Sequence, residues 1–581
     1  MGERHFSNRQ DFFISRLIEL LHIGTLDSYR VRTHNAHTSV KELHSLIVEW
    51  RKNNVKQFDT VASCANEALE KLNADIVYLY DYPFKGILPS YINAFVQSKG
   101  KEVVCSRVQQ LLEEVLSHMD SRRYVSAIFD KIESLTQMAE PSGETINMLE
   151  KDLNEIDMLT SSLCTELIHL GFSKMYLFSC AKGLQYEDSQ FEKLFSNFKS
   201  AVDPSKLRKY VVVFRVKLGR ELKDLELSDL KPTFPDEYKT EFVARTRTNF
   251  IRCERNQRFF IVNTDALDHG AAIKSGKEVL SKYLDKIHLA YNFSRIIPDV
   301  AVLVLEDRAD GYYVVGNQSL PILDGMSTKG NTDCLDLTEK IDSIANSESI
   351  SKDVINRLSA ALRHLRIGDS DTEIEQRFIN YWIALEFLFS TPLASDSTFG
   401  RIKDNLINIL TSCYGRRNIK ALDEQIQQVA DAVTIPNIWE PDAIKEITDT
   451  LDLPILLKYR LHRYGIHLLS GKDKQIRGYL ERHKKNVEWQ IARIYRLRNE
   501  LIHEAAIRQD IEGLTSNLRY YLIFVLTNAV VYFSEKAEVS SSLNRTFDME
   551  SFFMYYDLLR MSIENHCTLE NILNSSTHLD N

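Results

Sequence analysis

Arg496-Leu497-Arg498-Asn499-Glu500-Leu501-Ile502-His503 lies in a run whose apolar residues recur at helical spacing. Val487, Ile491, Ile494, Leu497, Leu501 and Ala505 make one stripe, so the spacing predicts a helix from Asn486 to about Ala506. On that helix Asn499 and His503 are four apart and share a face. Arg498 lies five residues before His503, so it leaves the axis roughly 140° away at about 3.6 residues per turn. A long guanidinium can curve to the same groove. Equally, two such helices facing each other in a dimer bring two Arg and two His together.

These residue types suit a phosphodiester. An arginine holds a permanently charged donor fork that matches phosphate oxygens. A histidine exchanges protons near neutrality. RNA cleaves itself when its 2′-OH attacks the adjacent phosphorus, provided a base takes the hydroxyl proton, an acid protonates the leaving 5′-oxygen and a cation stabilises the added charge. His503 suits the acid or base work, Arg498 the charge, and Asn499 can orient either the imidazole or the phosphate. Ten Lys/Arg stand against five Asp/Glu from Gly471 to Arg508. Within that basic stretch Lys484, Lys485, Arg493 and Arg496 are the candidate RNA contacts. A plainer reading competes, in which these residues only cap, pair or solvate a helix face. Arg…His pairs at similar spacing recur, as in Arg460 and His467, but Arg498 is set apart by the Asn that follows it.

The whole chain carries no basic footprint: 581 residues have a net charge of −9, so a polyanion site must be a local patch. The length allows two to four domains. Eight scattered cysteines without a C-x-x-C are expected to be small buried hydrophobes in a reducing cytoplasm. The N-terminus shows no apolar signal core. The longest apolar-rich run, Tyr521 to Phe533, is interrupted by Thr527 and Asn528 and reads as a core helix, so no membrane is expected as a partner. No metal-ligand cluster or cofactor motif stands out: Ser275-Gly276-Lys277 lacks the upstream Gly of a phosphate loop. His34 and His37 have no third ligand and are expected on a surface loop.

The expected fold is mostly α with a central α+β domain. Residues 1–170 read as an all-α region, and 171–325 as α+β. The latter holds β-rich runs at Tyr210 to Val216, Phe259 to Val262, Val300 to Leu305 and Tyr312 to Val315, with Asp310-Gly311 as a hairpin signal. The polar, punctuated stretch 326–350 reads as a linker, 351–540 as a helical bundle, and 541–581 as a helical extension ending in a frayed tail.

Arg498-Asn499-x-x-x-His503 resembles the R-x(4–6)-H motif of HEPN domains, in which a polar residue follows the Arg. Ala361 to Gly368 and Glu375 to Leu388, with the Leu385-Glu386 pair on a long helix, are similar to the early helices of Apea-like HEPN domains. Phe399-Gly400-Arg401 and the motif follow in the expected order, and the resemblance covers roughly 345–540. It implies a C-terminal HEPN-type helical bundle that dimerises through its motif helices. It further implies a metal-independent endoribonuclease of antiphage defence or toxin type, cleaving tRNA or mRNA under restraint from the N-terminal domains and answering a phage-derived trigger. Arg498 and His503 then take the catalytic pair, Asn499 the polar accessory and Glu386 a supporting role, paired to Arg498 or Arg377 if buried. The alternative is a HEPN-type module that dimerises or binds RNA without cutting it. The insertion between the early helices and the motif helix is long for the family.

Overall fold

Capping side chains open several N-terminal helices. Ser7 with Gln10, and Asn35 with Thr38, form reciprocal capping boxes, and the Asp120 carboxylate accepts the Arg123 N–H. The helices are α1 (Asn8–Leu21), α2 (Ala36–Arg51), α3 (Phe58–Ala74), α4 (Ile87–Gln97), α5 (Glu102–His118), α6 (Ser121–Thr136) and α7 (Ile146–His169). Their apolar stripes meet inside: Phe12, Phe13 and Leu17 of α1 and Val40, Leu43 and Ile47 of α2 are wholly buried. His34 and His37, expected on a surface loop, are buried here. The cap at Asn35 starts α2 between them and draws both inward; the His37 ring lies 5.6 Å from that of Tyr78 and 5.9 Å from that of Tyr124.

The computed structural model describes residues 6–22, 34–55, 57–80, 85–139, 146–185, 190–219, 222, 229–239, 243, 247–290, 295–306, 312–315, 331–371, 373–390, 398–430, 435–439, 443–469, 473–503, 511–539, 546–565 and 567–573. The chain divides into two compact units, one formed by 1–162 together with 322–581 and the other by 163–321. The N-terminal helices, expected as a region of their own, therefore share a unit with the C-terminal ones.

The second unit is the expected α+β region. It holds α8 (Lys174–Gly183), α9 (Phe191–Ala201), β1 (Arg208–Leu218), β2 (Leu230–Lys231), β3 (Gln257–Ala266), α10 (His269–Ala290), β4 (Ile296–Glu306) and β5 (Tyr312–Val315). The strands pair antiparallel in the order β2-β3-β1-β4-β5. β1 is central and buried on both faces. Its alternate residues Val212, Phe214 and Val216 meet Ala272 and Leu280 of α10, while Val213 meets Phe234, Phe250 and Phe259 on the other face. Pairing with β4 shifts register between Phe214 and Val216, beside Pro298, which has no N–H to give the ladder. The Asp310-Gly311 turn lies outside the described residues, but β4 and β5 pair as a hairpin requires, Leu305 opposite Tyr312. Asp268 caps α10: its Oδ1 accepts the N–H groups of Gly270 and Ala271 and the Ser173 hydroxyl.

The first unit resumes with α11 (Asn331–Ala345), α12 (Lys352–Ser370), α13 (Ile374–Phe389), α14 (Thr398–Ser412), α15 (Tyr414–Ala430), α16 (Ala443–Thr450), α17 (Ile455–Tyr464), α18 (Asp473–His503), α19 (Ile511–Val539), α20 (Met549–Asn565) and α21 (Leu569–Leu573). The expected linker is thus largely a helix. Polar residues dominate its count, but Leu337, Ile341 and Ile344 fall at helical spacing and pack on the main core. Beyond α11 the chain is tied as well, the Ser351 N–H donating to the Phe547 carbonyl at 2.9 Å. The tail is docked at its start, with Ile572 1% exposed.

Two cores organise these helices. The first joins Phe378, Leu385 and Phe389 of α13, Ile402 of α14, Ile491 and Leu497 of α18, Leu518 to Phe533 of α19, and Phe552 and Tyr556 of α20. The polar interruption of α19 is accommodated: Asn528 is wholly buried, donates to the Phe524 carbonyl and accepts from the Tyr556 hydroxyl at 2.8 Å. The second core gathers α15, α16, α17 and the start of α18, around Ile426, Ile447 and Leu461. The long insertion between the early helices and the motif helix therefore builds a core of its own. No described helix is long and apolar enough to cross a membrane.

α12 and α13 approach closely where α12 offers a glycine. A Cβ on Gly368 would stand 2.5 Å from Tyr381 Cε1, and the Tyr381 hydroxyl is fixed by Asp369, itself held by Arg519 at 2.7 Å. Gly368→Ala ordinarily gains about 0.5–1 kcal/mol in a helix; here overpacking costs about 1–3 kcal/mol. Net destabilisation is expected, seen as a lower urea midpoint at unchanged slope.

Candidate functional site

α18 runs 31 residues, starting earlier than the apolar stripe suggests. Val487, Ile491, Ile494 and Leu497 are buried as the pattern requires. The helix is described through His503, whose backbone is helical; the His503 side chain and residues 504–510 lie outside the described residues. The Arg498–His503 approach thus rests on the helix backbone alone, which puts the two five positions apart on one rod.

α13 brings Glu386 to Arg498. The Arg498 Nη2 lies 3.5 Å from Glu386 Oε1, with the two side chains 25% and 32% exposed. The same carboxylate oxygen accepts from the Trp382 indole N–H at 2.6 Å, one turn earlier on α13. The Trp382 ring is buried, so this bond satisfies a donor that would otherwise be stranded. Arg498 Nη1 reaches Asn499 Oδ1 at 3.3 Å. Its buried Nε has no hydrogen-bond acceptor among the described residues. Beside this set the rings of Phe399 and Tyr495 stack at 3.7 Å, and Trp382 lies 5.9 Å from Tyr495. Of the sequence candidates, then, Arg498, Asn499 and Glu386 come together at a half-exposed position. Arg377 is elsewhere, donating to the Asp371 carbonyl.

The proposed RNA contacts divide. Lys484 and Lys485 stand partly exposed near Glu481 (4.0 Å) and Glu70 (3.7 Å) respectively. Arg493 and Arg496 are buried and ion-paired inside the unit, not presented as a basic strip. Arg493 Nε reaches both Glu42 oxygens at 2.9–3.0 Å, and its Nη2 donates to Glu67. Arg496 Nη2 donates to Glu42 Oε1, an oxygen it shares with Arg493. The reason is local: Arg493 and Arg496 lie on the flank of α18 that α2 and α3 cover, and buried cations require carboxylates. Burial pushes the Glu42 carboxyl up, but Arg493 and Arg496, with His34 behind them, outweigh it and hold it well below the usual range.

Glu42 and Glu67 were not foreseen as partners. The available signal was their setting: each acid sits in an apolar stripe, Glu42 between Val40 and Leu43 and Glu67 between Ala65 and Ala68. Among the described residues no group of three or more His, Cys, Asp or Glu is placed to hold a metal ion. Compared with protein families, curated proteins and solved structures, the chain matches none.

Two outcomes follow from this geometry. Glu42→Gln leaves two buried guanidiniums short of charge and is expected to cost about 3–5 kcal/mol of stability by urea denaturation. Because the Glu42 value is depressed on folding, its contribution is complete above the ordinary value of 4.5, erodes as pH falls below it and is gone beneath the folded-state value. The variant therefore shows a flatter stability profile below that pH than the wild type.

At the other pair, Glu386→Gln keeps an acceptor for the Trp382 indole and loses only a part-exposed ion pair, about 0.2–1 kcal/mol. Glu386→Leu also strands the buried indole N–H and costs about 1–3 kcal/mol more. Equal losses in the two variants, by the same denaturation, would show that the indole bond carries nothing.

Proposed function

We propose that the protein is a metal-independent endoribonuclease of HEPN type, a defence or toxin effector that cleaves cellular RNA such as tRNA under control of the rest of the chain. The observation that supports this best is the state of Arg498. Its side chain is 25% exposed, and its two hydrogen-bond contacts, both through the terminal nitrogens, are long at 3.3 and 3.5 Å. Donors remain for a phosphate, which an arginine binds in forked geometry.

In this reading Arg498 binds the scissile phosphate and stabilises the charge that grows on its oxygens. Glu386 holds the guanidinium in place, and Asn499 orients the phosphate or imidazole. His503, one turn beyond Asn499, moves the proton. As base it accepts the 2′-OH proton while O2′ bonds to phosphorus and the P–O5′ bond breaks; an acid returns a proton to O5′. A 2′,3′-cyclic phosphate and a free 5′-hydroxyl result. A two-fold homodimer through the motif helices supplies two imidazoles, one for each task.

Lys484 and Lys485 carry the electrostatic attraction of RNA in this reading. Arg493 and Arg496 do not, being occupied by carboxylates. The test is incubation of purified protein with total RNA in EDTA, beside Arg498→Ala and His503→Ala. Cutting that survives chelation and disappears in both variants is expected. Persistent cutting in either variant overturns the assignment, and a folded wild type that binds RNA without cutting it supports the non-catalytic module.

A further inference from the structure

α18 is held on two flanks by residues far apart in the chain. On one, Glu386 of α13 meets Arg498. On the other, Glu42 of α2 and Glu67 of α3 meet Arg493 and Arg496. At 100° per residue Arg498 points roughly 140–160° away from both buried arginines. Any roll of the helix that carries Arg498 off Glu386 must also pull Arg493 or Arg496 from a carboxylate in a dry interior. Such a move is opposed strongly, because it strands a buried charge.

The contact extends along the helix. Lys485 lies near Glu70, and the Lys71 ammonium stands 5.8 Å over the Trp489 ring. With Arg493 and Arg496 these positions are spaced four, four and three apart, which traces one flank of a helix. α3 answers them with Glu67, Glu70 and Lys71, spaced three and one apart. The match fixes the axial register of α18 as well as its rotation.

We infer that Glu42 and Glu67 are positioning residues for the Arg498 site, and that α2 and α3 are an obligate part of the catalytic unit, not a detachable restraint. The inference rests on the nuclease reading for its consequence in rate, but its structural content is separately measurable. Glu42 and Glu67 bond to Arg493 and Arg496 and not to Arg498; they act through the helix that carries the site.

The full-length chain is used, with Glu42→Gln, Glu67→Gln and the charge-keeping Arg496→Lys, each well below its melting temperature. Glu102→Gln, which breaks an exposed pair with Arg51, is the control. Two readouts are taken: amide hydrogen exchange by mass spectrometry, and steady-state RNA cleavage in EDTA. The expected result is a loss of protection in α18 that exceeds the general loss that lowered stability gives α12 and α19. In cleavage, kcat falls roughly ten- to hundredfold with KM nearly constant, as for a misplaced reacting group. Should Glu42→Gln fail to fold, Glu67→Gln and Arg496→Lys carry the same expectation.

Unchanged exchange in α18, or a loss there no greater than in α12 and α19, overturns the inference. So does a rise in cleavage, which would make α2 and α3 a cover over the helix. If the wild type cuts no RNA while α18 alone loosens, the nuclease reading fails and the positioning role stands.

Discussion

Two guanidiniums cannot stay charged in a protein interior unless carboxylates reach them. In the helical unit Glu42 and Glu67 do so for Arg493 and Arg496, and the arrangement depends on that exchange. It joins α2 and α3 to α18 across most of the chain length, so that residues 1–162 and 322–581 form one unit although 163–321 separates them in the sequence. Such a cluster is weak as a source of net stability, since desolvating four ions offsets most of their attraction. Its effect lies in uniqueness: apolar helices can slide and roll against one another at little cost, but these cannot without stranding a charge.

That constraint determines what α18 offers to solvent. With one flank committed to carboxylates, Arg493 and Arg496 are spent internally, while Lys474, Arg477, Arg482 and Lys485 stay exposed. Of the residues singled out for RNA, those left accessible are Arg498 with Glu386 and Asn499, and Lys484 and Lys485 nearer the start of the helix. Glu386 ties the Arg498 set to a buried tryptophan. A side chain in contact with a fixed indole loses little further freedom when it meets a ligand, which favours an ordered site over a flexible basic patch.

The insertion between α13 and α18 shows a second constraint. A hundred-residue excursion from a bundle must either be polar and open or bury its own apolar residues. This one contributes Ile426, Ile447, Leu461 and their neighbours to a separate core, and borrows the start of α18 and the end of α20 to close it. The motif helix is therefore shared by two cores, which accounts for its length.

The sequence by itself determined the elements whose period is unambiguous. The stripe of Val487, Ile491, Ile494 and Leu497 specifies a helix because one face must leave water, while the β-branched and aromatic run Tyr210 to Val216 reads as a strand and the longer apolar run after Tyr521 as a core helix. It also offered the pairing of Glu386 with Arg498, beside a pairing with Arg377 and an exposed, unpaired carboxylate. It misjudged 331–345, where a polar majority concealed three well-spaced apolar residues, and His34 and His37, whose burial depends on a cap at Asn35. Tertiary structure alone decided the fate of the basic residues. Whether an arginine meets solvent or a buried carboxylate depends on which helix packs against it, and no local pattern near residue 493 encodes the arrival of Glu42 from more than four hundred residues away.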